Sequence, residues 1–328
     1  MGSVSPEPYP LLLAPVLHRR VWGGDWLETL YAGHGPTIQA GPEGEPMGES
    51  WLAGGASVVQ NGAHAGRSVA ELAEEMAADL VGEVAYARYG GRMPLLAKLL
   101  DAREALSVQV HPDDEYALRH ESGSGHLGKS EAWYVLAAEP GAEVLWGFER
   151  SMTPAEVRAA VEDGSLPEAM QRVKVSRGSV VVNPAGTVHA VGAGIRLYEI
   201  QQESDLTYRL YGHGRVGADG RPRDLHLEES LAVADLSGRP FRAEPPLPLP
   251  GGWERLVARP EFVLDRARLT GAETAFGSTD GASLQLLTLV SGAATLRPAG
   301  GAEWGSVDLR PGATVLLPAA LPGAYELA

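Results

Sequence analysis

The sequence predicts a mainly β fold made of many short strands. Its 328 residues include 41 glycines and 24 prolines, which divide the chain into the short segments that tight turns connect. Apolar residues make up 44% of the chain, which indicates a globular core rather than a disordered chain. Residues 245–252, rich in proline and glycine, predict a stiff linker and therefore a domain boundary.

Helical patterns are confined to a few places. Ser68 begins a capping-box pattern, so residues 69–89 are predicted to form one or two helices. Pro154 stands at the first position of a second helical pattern, which Gly164 ends. A third helix is predicted over residues 227–236. The remaining apolar segments predict strands at residues 95–100, 105–111, 132–138, 143–148, 179–183, 187–191, 195–201, 262–268, 284–290, 293–297 and 313–317.

Three of these segments carry side chains of the types that bind metal ions. Ser107, Gln109 and His111 alternate along one predicted strand and therefore share a face. His189 ends a Pro-x-Gly-x-x-His corner, and Glu131 begins a strongly apolar strand. An amide oxygen, two imidazoles and a carboxylate form a plausible ligand set for one divalent metal.

Each of these side chains also has a purely structural interpretation. His111 could be a hydrogen-bonded core histidine, His189 a turn histidine bonded to the backbone, and Gln109 a strand glutamine that only hydrogen-bonds. A carboxylate at Glu131 needs a partner because an unpaired buried charge is strongly unfavourable. Either a metal ion or the nearby Lys129 would provide that partner.

Arg209 lies within an apolar and aromatic segment, where a guanidinium must find an anion or a set of carbonyl groups. One interpretation is a salt bridge to Asp205 or Glu199. The other is contact with substrate oxygens or with negative charge that develops during a reaction. The segment itself leaves both interpretations open.

Composition excludes several classes of function. The formal charge of −15 argues against non-specific binding to nucleic acid or to an anionic membrane. The absence of cysteine excludes disulfides, thiolate metal sites and cysteine nucleophiles. The apolar run at residues 11–17 is short and contains Pro15. Its positive charges, Arg19 and Arg20, follow the run, whereas in a secretory signal they precede it. We therefore expect neither a membrane span nor a secretory signal. A cytoplasmic location is therefore expected.

Taken in order, seven segments of the chain resemble type I mannose-6-phosphate isomerases of the cupin superfamily. Together they span most of residues 15–235, and their ordered set is far more specific than any single segment. These segments are residues 48–51, 94–101, 106–112, 128–134, 184–190, 202–209 and 224–228.

The resemblance implies two cupin-type jelly-roll β-barrels with helical insertions. The first would be a metal-binding catalytic domain over residues 1–243, with helical segments at about 68–89 and 153–172. The second, over residues 251–328, would be a degenerate cupin domain without metal ligands. Either a monomer or a homodimer is compatible with this architecture.

The resemblance also implies a site and a reaction. One zinc ion per chain, or another divalent metal, would be held by Gln109, His111, Glu131 and His189. Arg209 and Lys129 would be catalytic, and Ser107 would bind substrate with them. The implied reaction interconverts mannose 6-phosphate and fructose 6-phosphate through an enediol(ate).

The identity of the base stays open at this point, among Lys129, a water at the metal, Glu199 and His213. Two other functions also remain: a non-catalytic sugar-phosphate sensor and, with less support, an iron-dependent cupin dioxygenase.

Overall fold

The computed structural model describes residues 7–33, 38–215 and 223–328, and it is mainly β, as the sequence predicts. The strands in these ranges are β1 (Leu11–Leu13), β2 (Val16–Gly24), β3 (Ile38–Ala40), β4 (Met47–Ala53), β5 (Leu95–Ala102), β6 (Val108–Val110), β7 (Glu131–Ala138), β8 (Glu143–Phe148), β9 (Met170–Lys174), β10 (Val180–Asn183), β11 (His189–Val191), β12 (Ile195–Gln202), β13 (Tyr208–Tyr211), β14 (Leu247–Pro248), β15 (Trp253–Ala258), β16 (Val263–Ala267), β17 (Ala275–Ser278), β18 (Gln285–Thr288), β19 (Ala294–Ala299), β20 (Val307–Leu309), β21 (Thr314–Leu317) and β22 (Ala324–Leu327). The α-helices there are α1 (Trp26–Tyr31), α2 (Val69–Met76), α3 (Ala78–Val81), α4 (Glu83–Tyr89), α5 (Asp114–His120), α6 (Pro154–Glu162) and α7 (Leu227–Val233).

Two sheets form the larger part of the molecule. A seven-stranded sheet has the order β10-β7-β12-β5-β4-β2-β3, and a five-stranded sheet has the order β13-β6-β11-β8-β9. Their inner faces pack together: Trp133 and Leu197 of the first sheet share a core with Val144 and Val191 of the second. The space between these two faces contains the candidate site.

Side-chain alternation explains how the seven-stranded sheet serves two cores. On β7, Trp133 and Val135 point inward, whereas Ala132 points to the opposite face. That opposite face packs against α2 and α3, through Leu72 and Leu80 among others. The sheet is therefore buried on both faces, which accounts for its nearly continuous apolar strands.

The helices begin where the capping signals predict, but they are shorter than predicted. Ser68 and Glu71 form the capping box of α2, and three short helices follow where one or two were predicted. The predicted helical segment 153–172 is too long. Its α-helix ends at Glu162, a 3-10 turn follows, and residues 170–172 belong to β9.

The C-terminal part contains three smaller sheets, of which one includes the N-terminal strand. The sheet orders are β1-β21-β18, β14-β15-β16 and β17-β22-β19-β20. Because Leu11 of β1 pairs with Leu316 of β21, the first and last parts of the chain share a sheet. The proline-rich stretch at 245–252 contains β14, which pairs with β15, and a 3-10 turn at Pro250–Gly252. None of the helices in the described ranges has the length and apolar character that a bilayer crossing requires.

Candidate metal centre

Strand register brings three of the predicted site residues into one row on the five-stranded sheet. Gln109 of β6 is paired on one side with His189 of β11 and on the other with Arg209 of β13. Residues directly opposite each other in antiparallel strands present their side chains on the same face. Glu131 begins β7 on the facing sheet, so the site is assembled from two sheets.

His111, Glu131 and His189 converge in the buried space between the sheets, with ligand atoms that all lie within 4.8 Å of one another. Nε2 of His189 is 3.2 Å from Oε1 of Glu131, and Nε2 of His111 is 3.5 Å from Oε2. The two imidazole centroids are 4.9 Å apart. The prediction that these residues meet is therefore matched by the arrangement of the side chains.

Both histidines direct Nε2 into the site because Nδ1 is engaged elsewhere. Nδ1 of His111 is 2.8 Å from the carbonyl oxygen of Leu206, and Nδ1 of His189 is 2.8 Å from that of Thr187. Donation from Nδ1 to a carbonyl leaves Nε2 as the free lone pair, the usual arrangement of a metal-binding histidine. Burial, assisted by the Lys129 ammonium, lowers the pKa of His111 to about 3, so the ring is neutral.

Lys129 forms the second charged component of the centre. Its Nζ is 2.8 Å from Oε2 of Glu131 and 3.2 Å from Nε2 of His111. Burial alone would lower the pKa of Lys129, but the carboxylates of Glu131 and Glu199 outweigh it and raise the pKa. The same ion pair holds the pKa of Glu131 well below its usual range despite burial. The centre therefore contains a fixed carboxylate beside a fixed ammonium.

Gln109 is adjacent to the centre and less deeply buried than the other three candidate ligands. Its Nε2 is 3.3 Å from Nε2 of His189. The oxygen and nitrogen of an amide are assigned from the hydrogen-bond network, and a half-turn of the group exchanges them. With that half-turn, the amide oxygen of Gln109 faces the same space as the two imidazoles.

Arg209 lies at the edge of the centre. Its backbone exchanges hydrogen bonds with His226, and its guanidinium donates to the carbonyl oxygen of Asp224 at 3.0 Å. In the part of the chain that the structure describes, Arg209 forms no salt bridge with Asp205 or Glu199, so that interpretation of the sequence is wrong. Its Nε is buried without a hydrogen-bond partner among the described residues, which leaves a donor available to a ligand.

Ser107 and His213 occupy different environments. Ser107 is buried one residue before β6, on the approach to Gln109. His213 adopts a left-handed backbone conformation with φ of 57°, and its Nε2 is 2.9 Å from the carbonyl oxygen of Leu106. The ring of His213 is therefore tied to the backbone.

Sequence reasoning named Glu199 as one of several possible bases but missed the row of side chains to which it belongs on the seven-stranded sheet. Trp51, Lys98, Glu199 and Trp133 are paired in register across β4, β5, β12 and β7. Lys98 Nζ is 3.4 Å from Glu199 and 5.0 Å from the centre of the Trp51 ring, while the Trp133 indole donates to Glu199 at 2.9 Å. A lysine inside the apolar run 94–101 was the available signal, because a buried charge needs a specific partner.

The donor set fits a divalent metal. Two ligand atoms each about 2.1 Å from a tetrahedral zinc ion lie about 3.4 Å apart, close to the 3.2 and 3.5 Å separations between the histidine nitrogens and Glu131. Neutral imidazoles and an ionised carboxylate are the protonation states that metal binding requires. Among the described residues, no second group of three histidine or acidic side chains converges in this way.

A buried two-histidine, one-glutamate centre between facing sheets defines a cupin-type metal-site protein. Residues 11–129 match the family described as the catalytic domain of type I phosphomannose isomerase. The mannose-6-phosphate isomerase ManA of Bacillus subtilis is 43% identical over 233 residues, which cover 71% of this chain and 70% of ManA. The chain therefore belongs to the mannose-6-phosphate isomerase family.

Solved structures share this fold over nearly the whole chain. The crystal structure of the mannose 6-phosphate isomerase from Bacillus subtilis matches with a TM-score of 0.82 and 29% identity, covering 97% of this chain and 98% of that one. A mannose 6-phosphate isomerase described as zinc-bound matches with a TM-score of 0.71 and 18% identity, covering 97% and 98% of the two chains. At that identity the second match demonstrates the fold alone.

Proposed function

We propose that this protein interconverts mannose 6-phosphate and fructose 6-phosphate. The observation that carries the proposal is the convergence of His111, Glu131 and His189 beside Lys129 and Arg209 in a chain of this family. An aldose–ketose isomerisation moves a proton between C1 and C2 of the open sugar and develops negative charge on the neighbouring oxygens. Such a reaction needs a base, cationic donors and a means of orienting the sugar.

His111, Glu131 and His189, with Gln109 as the fourth ligand, would hold one zinc ion or another divalent metal. A metal bound there supplies Lewis acidity toward sugar oxygens. Zinc suits a site of two imidazoles and a carboxylate, and one isomerase of the same fold is described as zinc-bound. The side chains around the centre would transfer the proton and stabilise the developing negative charge.

Glu199 is the base that the geometry favours. Burial, together with repulsion from the Glu131 carboxylate, raises the pKa of Glu199, which makes its carboxylate a stronger base than an exposed one. Its two oxygens are oriented by Lys98 and by the Trp133 indole. His213 is a weaker candidate because its ring is tied to the carbonyl oxygen of Leu106.

Lys129 and Arg209 serve as cationic donors in this proposal. The carboxylates around Lys129 raise its pKa, so it is an ammonium that donates to oxygen rather than a base that removes a proton from carbon. Arg209 presents an unused Nε–H from the strand beside Gln109. Ser107, buried before the same strand as Gln109, would contact substrate hydroxyls.

The test is a coupled assay for fructose 6-phosphate formation from mannose 6-phosphate, with metal content measured on the same sample. We expect about one metal per chain, turnover in the metal-loaded protein, loss of turnover on chelation and recovery on adding zinc. Sugar-phosphate binding without conversion would indicate a sensor instead. Oxygen uptake with added iron would indicate a dioxygenase.

A further inference from the structure

We propose that Asn183 is a positioning residue of the metal centre, which fixes the Glu131 carboxylate in the orientation that a bound metal requires. This inference rests on the metal-binding role that the proposed function gives to Glu131. It does not depend on which sugar phosphate the protein converts. The contacts around the Asn183 amide carry it.

Asn183 ends the edge strand β10 directly opposite Glu131. The register of β10 and β7 pairs Asn183 with Glu131 and Val181 with Trp133. Side chains paired in this way lie on the same face of a sheet, so Asn183 faces the space between the two large sheets. Asn183 is 1% exposed, and its Nδ2 donates to Oε1 of Glu131 at 3.2 Å.

Each oxygen of the Glu131 carboxylate therefore has one donor from the protein. The Lys129 ammonium is 2.8 Å from Oε2, and the Asn183 amide holds Oε1. The same two oxygens face the imidazoles, Oε1 that of His189 and Oε2 that of His111. The ammonium competes with a metal for the negative charge of the carboxylate, whereas the amide is neutral. Asn183 thus fixes the plane of the carboxylate without neutralising it.

An amide at this position is unfavourable for the fold by itself. The rest of β10 consists of valines, at residues 180–182. Oδ1 of Asn183 is buried without a hydrogen-bond partner among the described residues, and a buried acceptor without a partner costs free energy that an apolar side chain would not. In the same part of the chain, the side chain of Asn183 hydrogen-bonds only to Glu131. We therefore infer that its function is donation to Glu131.

Gln201 flanks Glu131 on the opposite side and has a different role. It is paired with Glu131 across β12 and β7, and it is fully buried. Its Nε2 donates to the carbonyl oxygens of Gln202 and Ser204, at 3.0 and 2.7 Å. These bonds stabilise the backbone where β12 ends. Of the two amides beside Glu131, only that of Asn183 donates to the carboxylate.

The experiment compares wild type with Asn183→Leu and Asn183→Gln. Zinc affinity is measured by competition with a chelator, and visible absorption of the cobalt-loaded protein reports the geometry of the ligands around the ion. We expect Asn183→Leu to weaken zinc binding about 10- to 100-fold and to change the cobalt spectrum. Asn183→Gln keeps an amide donor on a longer chain, so its zinc affinity should lie between those of wild type and Asn183→Leu.

Gln201→Met is the matched control, because it removes a buried amide from the strand on the other side of Glu131. It should lower the free energy of unfolding, since two backbone carbonyls lose their donor. Its zinc affinity and cobalt spectrum should remain those of wild type.

An unchanged zinc affinity in Asn183→Leu would overturn the proposal. Equal losses of affinity in Asn183→Leu and Gln201→Met would also overturn it, because affinity would then depend on packing around Glu131 rather than on a donor. Should Asn183→Leu not fold, the zinc affinity of Asn183→Ala, which also lacks the donor, decides in its place.

This inference and the proposed function fail separately. A wild-type protein that binds zinc, loses affinity on Asn183→Leu and does not isomerise mannose 6-phosphate would refute the isomerase function and retain the role of Asn183. A wild-type protein that isomerises the sugar, with a zinc affinity that Asn183→Leu leaves unaltered, would retain the function and refute the role of Asn183.

Discussion

At the scale of single residues, Glu131 is the side chain on which the candidate centre depends. It is fully buried and contacts both imidazoles and the Lys129 ammonium. Glu131→Gln keeps the shape but removes the charge, so the metal-to-protein ratio should fall well below that of wild type. In metal-free protein it leaves Lys129 buried without its counter-ion and should lower the free energy of unfolding by about 3–5 kcal/mol.

The matched substitution is Glu143→Gln on β8, where the carboxylate pairs with Arg172 near the surface. Chemical denaturation should show a cost of about 1 kcal/mol or less there. Equal losses of stability from both substitutions would contradict the assignment of Glu131 as the buried counter-ion.

Arg209 is expected to act on the reaction rather than on folding. Arg209→Ala removes a positioned donor and should lower kcat by about 10²–10³-fold, while the denaturation midpoint stays close to that of wild type. Arg172→Ala, an exposed arginine on the same five-stranded sheet, serves as the control. A kcat near that of wild type in Arg209→Ala would remove this residue from the mechanism.

Glu203 makes stability depend on pH. One of its carboxylate oxygens accepts from the N–H of Gly55, the other is buried without a partner in the described ranges, and burial raises the pKa to about 7 from 4.5. A raised pKa means that the folded state binds the proton more tightly than the unfolded state. The free energy of unfolding should therefore fall as the pH rises from about 4.5 to 7, by up to about 3 kcal/mol.

Glu203→Gln removes this dependence, because an amide can accept from Gly55 without carrying a charge. Denaturation at pH 4.5 and pH 8 should show similar stabilities of variant and wild type at the lower pH. At the higher pH the variant should be the more stable. A stability difference that is the same at both pH values would refute the assignment.

At the scale of elements, the capping box at Ser68 sets the start of α2, the helix that carries Val69 and Leu72 into the core. Ser68→Ala leaves a helix-terminal N–H without its side-chain acceptor and should cost about 1 kcal/mol. Thermal unfolding measures this loss, and Thr153→Ala at the equivalent position of α6 should give a comparable one. An unchanged melting temperature in both variants would show that these boxes contribute nothing to stability.

At the scale of the whole molecule, β1 joins the two ends of the chain. Leu13 is 1% exposed and pairs with Thr314 of β21, yet it also belongs to the core that covers the seven-stranded sheet. Leu13→Ala should therefore destabilise the N- and C-terminal parts together, by about 2–5 kcal/mol, in one denaturation transition. Leu118→Ala, at a side chain 62% exposed on α5, should cost less than about 0.5 kcal/mol.

Two separate denaturation transitions, of which only one responds to Leu13→Ala, would show that the parts unfold independently. The tryptophans distinguish the two cases by fluorescence, because Trp133 lies between the large sheets and Trp304 lies in the C-terminal core.

Elements that depend on residues close together in the chain could be predicted from the sequence, whereas elements that depend on distant partners could not. Strands such as β7 and β12 were predictable because apolar residues recur along them, and α2 because its capping box lies within four residues. Strand β1 was not predictable, since Leu11–Leu13 is short and its partner is some three hundred residues away. The predicted helical segment at 153–172 is too long because its last residues pair with β8 as part of β9, and this pairing overrides their local helical preference.

The sequence by itself determined which side chains could bind a metal, because ligand chemistry belongs to residue type: two histidines, a glutamate and a glutamine. Only the tertiary structure decided that these side chains meet and that Glu199 and Lys98 form a buried pair beside them. Strand register and burial produce these features, and both arise from contacts between residues that are distant in the chain.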